Sequence, residues 1–171
     1  QIGRSCMDLR VAGITAEEKR ELYPITENQR GLLVDWQIDP QTTQYNIPFV
    51  RVFEDIDGQA LLSAICAVVN AHSCMKARLE YVNDDGMIRR RDEDDPAVKL
   101  HELEKEPDRS FFQNMVVPFD LLHDRLYRIG IYTFGKRAWL FMDVHHIIFD
   151  GMSYAVFFKD LETVLNGGRI D

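Results

Sequence analysis

The chain has 171 residues, 46% of them hydrophobic, and a formal charge of −8. Its length suits one compact domain burying roughly 70% of its unfolded surface, and its apolar content excludes a disordered chain. The acidic balance lacks the basic footprint of a nucleic-acid binder and argues against anionic membranes.

Residues 1–22 are mixed and charged and read as a linker or extension, with a short helix expected over Thr15–Leu22. Tyr23-Pro24-Ile25 leads into the main domain, residues 23–171. Thr26 is a candidate N-cap with Gln29 three positions on, the spacing of a capping box. That helix would carry Arg30, Leu32, Leu33 and Trp36 and stop before Pro40. Gln44–Glu54 reads as a strand, with Pro48 marking an edge or an irregular start. Asp57 caps a helix over Gly58–His72 whose inner face is Leu61, Leu62, Ile65, Val68 and Val69.

Ala77–Val82 and Met87–Arg91 suggest a hairpin around residues 83–86. The acidic run Asp92–Asp95 after Arg89-Arg90-Arg91 reads as a solvated loop. Val98–Leu103 is a further candidate strand, Asp108–Met115 a short helix and residues 118–122 a loop. Leu126–Phe134 and Arg137–His145 should pair antiparallel through Gly135-Lys136, and Met152–Leu161 shows helical spacing with a stop at Gly167-Gly168. Helices interleaved with antiparallel strands predict an α/β (α+β) fold, a two-layer sandwich with a mixed, mostly antiparallel sheet covered by helices on one side.

Cys6, Cys66 and Cys74 are odd in number and lack metal-ligand spacing, and no apolar stretch of membrane length occurs. A reduced, cytoplasmic protein is expected, with Cys66 in the core. The chain begins with Gln1, which suggests a fragment or a processed chain.

The densest chemistry is His145-His146-Ile147-Ile148-Phe149-Asp150-Gly151, an HHxxxDG pattern closing an apolar strand. Side chains alternate along a strand, so the two imidazoles should diverge. One, His146, can serve a cavity as a base or hydrogen-bond donor, and the other is free to be structural. The pair could instead be satisfied by backbone groups at a strand end. No metal site is expected, because the imidazoles diverge and no third soft ligand lies nearby. Asp150 is either a second acid–base group or a buried brace needing a cation, with Lys76, Arg78 and Arg128 as candidates. Arg128 suits that role, sitting in an otherwise apolar strand. Gly151 should let the chain turn where a side chain would obstruct.

These residues, with three other segments in order, resemble nonribosomal peptide synthetase condensation domains, members of the chloramphenicol acetyltransferase-like superfamily. Residues 23–30 (Tyr23-Pro24-Ile25-Thr26 through Asn28-Gln29-Arg30) resemble the family's opening motif. Asn70–Lys76 lies where the family has RHExLR, and Pro118-Phe119-Asp120-Leu121 with Leu126-Tyr127-Arg128 is similar to its PFDL…LxR stretch. The resemblance covers about residues 22–168. It departs in the second motif, where Ala71 and Lys76 replace two arginines and Ser73 replaces an acid. Lys76 could keep a charge opposite Asp150, but as a point donor and not a bidentate fork.

The resemblance implies an acyltransferase that forms an amide between carrier-bound acyl or peptidyl and aminoacyl thioesters. His146 would be the functional imidazole, as base or as positioning group, and backbone N–H near Gly151 would help the oxyanion. His145, Asp150, Arg128 and Lys76 would be structural. No cofactor binds directly; phosphopantetheine arms arrive on donor and acceptor carrier proteins, and other synthetase domains are partners in cis. The chain would be the N-terminal lobe alone, a monomer, with little activity of its own. Epimerisation domains carry the same signature. Two rivals are a trimeric acyl-CoA acyltransferase with its site between subunits, and a non-catalytic carrier-docking lobe.

Overall fold

A computed structural model describes residues 22–82, 85–90 and 96–170 of the chain. The helix expected over residues 15–22, the acidic run 92–95 and Cys6 therefore lie outside the described residues, apart from Leu22. The observed architecture is a mixed α/β fold with two sheets where one was expected. A three-stranded sheet has the order β1-β4-β3, built from β1 (Leu22–Pro24), β3 (Ala77–Val82) and β4 (Asp85–Arg90). A four-stranded sheet has the order β2-β7-β6-β5, from β2 (Asn46–Glu54), β5 (Lys99–Glu102), β6 (Tyr127–Phe134) and β7 (Arg137–His145). Residues 22–24, read from sequence as an entry segment, are a strand antiparallel to β4. Three residues are too few for periodicity to show.

Within the larger sheet β7 is antiparallel to both β2 and β6, and β5 alone runs parallel, beside β6. The β6–β7 connection is the two residues Gly135-Lys136, with Gly135 at φ 59°, a Gly-first turn matched to strand twist. Helix α1 (Glu27–Ile38) begins with the capping box in place. The Thr26 side chain accepts from Gln29 N–H at 3.3 Å, and Gln29 Oε1 accepts from Thr26 N–H at 2.9 Å. Helix α2 (Gly58–Ala71) is capped by Asp57 and followed by a 3₁₀ turn, Ser73–Lys76. A short α3 (Arg109–Gln113) and a long α4 (Gly151–Leu165) complete the set.

The main core lies between the four-stranded sheet and α2 and α4. Leu61, Ile65, Val68 and Val69 of α2 meet Phe157, Phe158 and Leu161 of α4 over Leu140, Met142 and Val144 of β7. Cys66 is half-buried and not a core residue. The opposite face of the sheet is not bare, as a one-sided sandwich would leave it. Trp139 and Phe141 of β7 pack there against Phe112 of α3, with Phe111, Met115, Val116 and Tyr132 around them. β7 is consequently buried along both faces from Ala138 to His145. β2 is an edge strand whose outward residues, Val50 and Val52 among them, are exposed, as Pro48 suggested. No described helix is long and apolar enough to cross a membrane.

Candidate active site

His145 is the last residue of β7, and the chain turns at once. The turn is held from three directions. His145 N–H donates to Leu126 O and His146 N–H to Tyr45 O, each at 2.9 Å. Gln29 Nε2 donates to Ile147 O at 2.8 Å, so the residue that closes the α1 capping box also grips the histidine turn. Ile147, Ile148 and Phe149 then plug into the core at 2%, 8% and 3% exposure. An apolar plug beneath a hydrogen-bonded turn leaves His146 little freedom of backbone.

The two histidines have opposite fates. His145 is buried, its ring edge-on to Phe119 at 5.8 Å and beside Tyr45 at 6.3 Å. Its Nδ1 accepts the Ile147 N–H at 3.1 Å, which assigns the remaining ring proton to Nε2. Burial, with a smaller contribution from His146, lowers its pKa to about 4, so it is neutral at pH 7. His146 is exposed.

Asp150 differs from the buried brace the sequence suggested. It is exposed and is the N-cap of α4, accepting Ser153 N–H at 2.8 Å and the Ser153 hydroxyl at 2.7 Å. These bonds, the backbone one foremost, hold its carboxyl below the usual range, and the His146 imidazole adds a smaller pull in the same direction. Asp150 forms no ion pair with Lys76, Arg78 or Arg128 among the described residues. The local signal was present: Asp with Ser three positions later is a capping pattern. Lys76 ends the 3₁₀ turn and lines a small hollow with Arg78, Pro96, Arg125 and Tyr127.

Gly151 opens α4, and a Cβ built there meets no heavy atom within 4 Å. The obstruction expected from sequence is absent. Gly151→Ala is expected to leave stability unchanged or raise it by up to about 1 kcal/mol, from lower unfolded-state entropy and higher helix propensity. A thermal melt checks this, and a clear drop in Tm would contradict it.

Arg128 has a different acid partner, Asp143, which lies inside the apolar run of β7. Asp143 is 0% exposed. Its Oδ2 accepts from Asn46 Nδ2 at 2.7 Å and from Arg128 Nη1 at 3.3 Å. Arg128 also donates to Val117 O at 2.8 Å and Pro118 O at 2.7 Å, reaches Asp124 Oδ2 at 3.4 Å, and lies 3.7 Å over the Phe119 ring. It thereby clamps the 117–119 segment, whose Phe119 walls His145. A second pair unseen in sequence is His72 with Asp160, Nε2 to Oδ2 at 2.9 Å, joining the end of α2 to α4. A charged residue in a buried strand was itself a signal, because buried carboxylates need partners.

A family model described as the condensation domain matches residues 19–169. The chain belongs to the condensation-domain family. Among curated relatives, it is 29% identical over 155 residues to tyrocidine synthase 3 of Brevibacillus parabrevis, covering 90% of this chain and 2% of that protein. It is 30% identical over 157 residues to surfactin synthase subunit 2 of Bacillus subtilis, covering 90% of this chain and 4% of that one. The starter condensation domain of rhizomide synthetase superposes with a TM-score of 0.75 at 17% identity, over 85% of this chain and 37% of that one. The first condensation domain of the CDA synthetase gives 0.73 at 18%, over 88% and 42%. These likenesses show the condensation-domain fold. The chain spans about two-fifths of the two superposed structures and a few percent of the two synthases.

Gln29 is the residue of this site whose reach sequence could not show. Gln29→Ala removes both the acceptor for Thr26 N–H and the donor to Ile147 O, and is expected to cost about 1–2 kcal/mol. Gln29→Glu keeps the acceptor and loses the donor. Denaturant unfolding of the two variants separates the cap from the grip on the turn.

Proposed function

We propose that this chain is the histidine-bearing, N-terminal lobe (residues 23–171) of a nonribosomal peptide synthetase condensation domain, forming amide bonds between carrier-borne thioesters. The observation that carries the reading is the division of labour in the HHxxxDG turn. One imidazole is buried, neutral and used up in holding the turn, and the other is exposed on a backbone clamped from α1, Tyr45 and Leu126. Prepositioned groups of this kind remove orientation entropy from a reaction whose partners are already tethered.

In the reaction the acceptor's α-amine attacks the donor's thioester carbonyl. The new C–N bond forms, the C–S bond breaks, and the amine's surplus proton ends on the departing phosphopantetheine thiolate. His146 takes or steers that amine proton, and general bases so placed contribute about 10²–10⁴-fold. The backbone N–H of Gly151, ahead of the Ser153 N–H that Asp150 caps, is the donor offered to the developing oxyanion. His145, Arg128 and Asp150 hold the frame, the last by starting α4. Donor and acceptor carrier proteins are the partners, their phosphopantetheine arms are substrates, and the setting is the cytoplasm.

The test joins this chain to the rest of its condensation domain and supplies a donor carrier loaded with an acyl group and an acceptor carrier loaded with an amino acid. Intact-mass spectrometry should find the amide on the acceptor carrier. No product from folded protein and loaded carriers, or acyl transfer from acyl-CoA by a trimer of the 171 residues, would overturn the proposal. The 171 residues alone are expected to form little product.

A further inference from the structure

Asp143 and Asn46 present an imbalance that the reaction does not use. Asn46 Nδ2 spends its two hydrogens on Asp143 Oδ2 and on Val117 O, at 2.7 and 3.0 Å. Asn46 Oδ1 and Asp143 Oδ1 are both buried, and neither meets a hydrogen-bond donor among the described residues. Exchanging the amide atoms of Asn46 would not help, since an oxygen would then face the Val117 carbonyl and the Asp143 carboxyl. The two orphaned acceptors are each geminal to an atom of the same 2.7 Å hydrogen bond. A carboxyl and a primary amide joined in this way lack one hydrogen, and a proton on the carboxyl would satisfy both oxygens in a closed ring.

We propose that Asp143 holds a proton on Oδ1 and donates it to Asn46 Oδ1, so that the two side chains form a neutral acid–amide pair that positions the His145–His146 corner. The charges facing the pair permit this. Arg128, from β6, is the cation present, and its 3.3 Å approach to Asp143 is long for a charge-assisted bond, normally about 2.7–2.9 Å. Its shorter bonds go to the Val117 and Pro118 carbonyls, and its charge is shared with Asp124 and the Phe119 ring. His145, two residues along β7 on the same face, is neutral. Segment 117–119 offers two carbonyls and a ring. Burial pushes the Asp143 carboxyl up, against the opposing pull of the Asn46 amide and Arg128.

The position of the pair gives it a role in the site. Asn46 stands opposite His145 in the β2–β7 register. Tyr45, the residue before it, gives its carbonyl to His146 N–H and its ring to the wall of His145. Asp143 therefore acts through Asn46 and Tyr45 on the histidines, as a positioning residue that touches no substrate. The idea rests on His146 being the functional imidazole only for its link to the reaction.

The test reads the proton directly. Infrared difference spectra of the native chain against Asp143→Asn at pH 7 should show a carboxylic-acid C=O band lost in the variant. Asparagine mimics the protonated acid, so Asp143→Asn should keep the native Tm and the long-range ¹H–¹⁵N pattern of an Nε2–H tautomer at His145. Asp143→Ala should lower Tm and blur that pattern. In the assembled domain Asp143→Ala should lower the rate at least ten-fold, and Asp143→Asn should restore most of it. A carboxylate band in the native chain, or Asp143→Asn as damaging as Asp143→Ala, overturns the pair in favour of an ionised Asp143 bound to Arg128 or to a buried water. Those outcomes leave the His146 reading standing, and an unchanged rate in His146→Ala sinks that reading while leaving the infrared result intact.

Discussion

Replacing His146 with alanine in the assembled condensation domain should lower the rate of amide formation by about 10²–10⁴-fold while leaving the melting temperature where it was. The two halves of this expectation have separate physical sources. The side chain is exposed, and its ring makes no hydrogen bond among the described residues. What the fold needs from this position is the backbone N–H that donates to Tyr45 O, and alanine keeps it. Single-turnover formation of the carrier-bound amide, with a thermal melt on the same sample, measures both. An unchanged rate would remove His146 from the chemistry. His145→Ala should behave in the opposite way, because it opens a void between Phe119 and Tyr45 and leaves the buried Ile147 N–H without its acceptor.

Acid should unfold this chain by way of His145. Its pKa is about 4 in the folded chain and about 6.5 when unfolded, so between those values the unfolded state binds the extra proton. Stability attributable to His145 is therefore complete above about pH 6.5 and is lost as pH falls towards 4. The gap corresponds to roughly 3 kcal/mol, a large part of the 5–15 kcal/mol that ordinary domains possess. Asp143 works in the other direction. Its raised folded pKa favours the folded state at low pH, and that contribution fades as pH rises above the ordinary carboxylate value of about 3.9. The useful quantity is the difference between the native chain and His145→Asn, whose side-chain oxygen can still accept the Ile147 N–H. Denaturant midpoints from pH 7 to pH 4 should fall less steeply in the variant. Parallel pH profiles would show that His145 is not the acid-sensitive group.

The contrast between Asp150 and Asp143 shows how far sequence reaches into the site. A buried Asp150 would need a distant cation. Asp150 is instead an exposed N-cap, because Asp150-Gly151-Met152-Ser153 contains a helix cap. Asp143 does meet the condition for a buried brace, inside an apolar run whose local pattern specifies only a strand. Arg128 donates to Asp143 and not to Asp150. The two-residue Gly135-Lys136 turn sets the register that places Arg128 opposite Asp143, so this pairing follows from a turn the sequence itself predicts.

Neighbours along the chain therefore carried much of the outline. The Thr26–Gln29 capping box, the Gly135-Lys136 turn, the helical inner face of residues 61–69 and the divergence of adjacent residues at a strand end all depend on contacts spanning at most a few positions. The same holds for the family resemblance, which is an ordered set of such short patterns. The second sheet, the covered far side of the main sheet and the parallel β5 depend on how separate elements pack. So does the grip on the histidine turn. Gln29 reaches Ile147 across 118 positions, and Asn46 reaches Asp143 across 97. A hydrogen bond between such residues exists only once β2 has paired with β7 and α1 has settled against the turn, because register and packing bring the partners together and local propensity cannot.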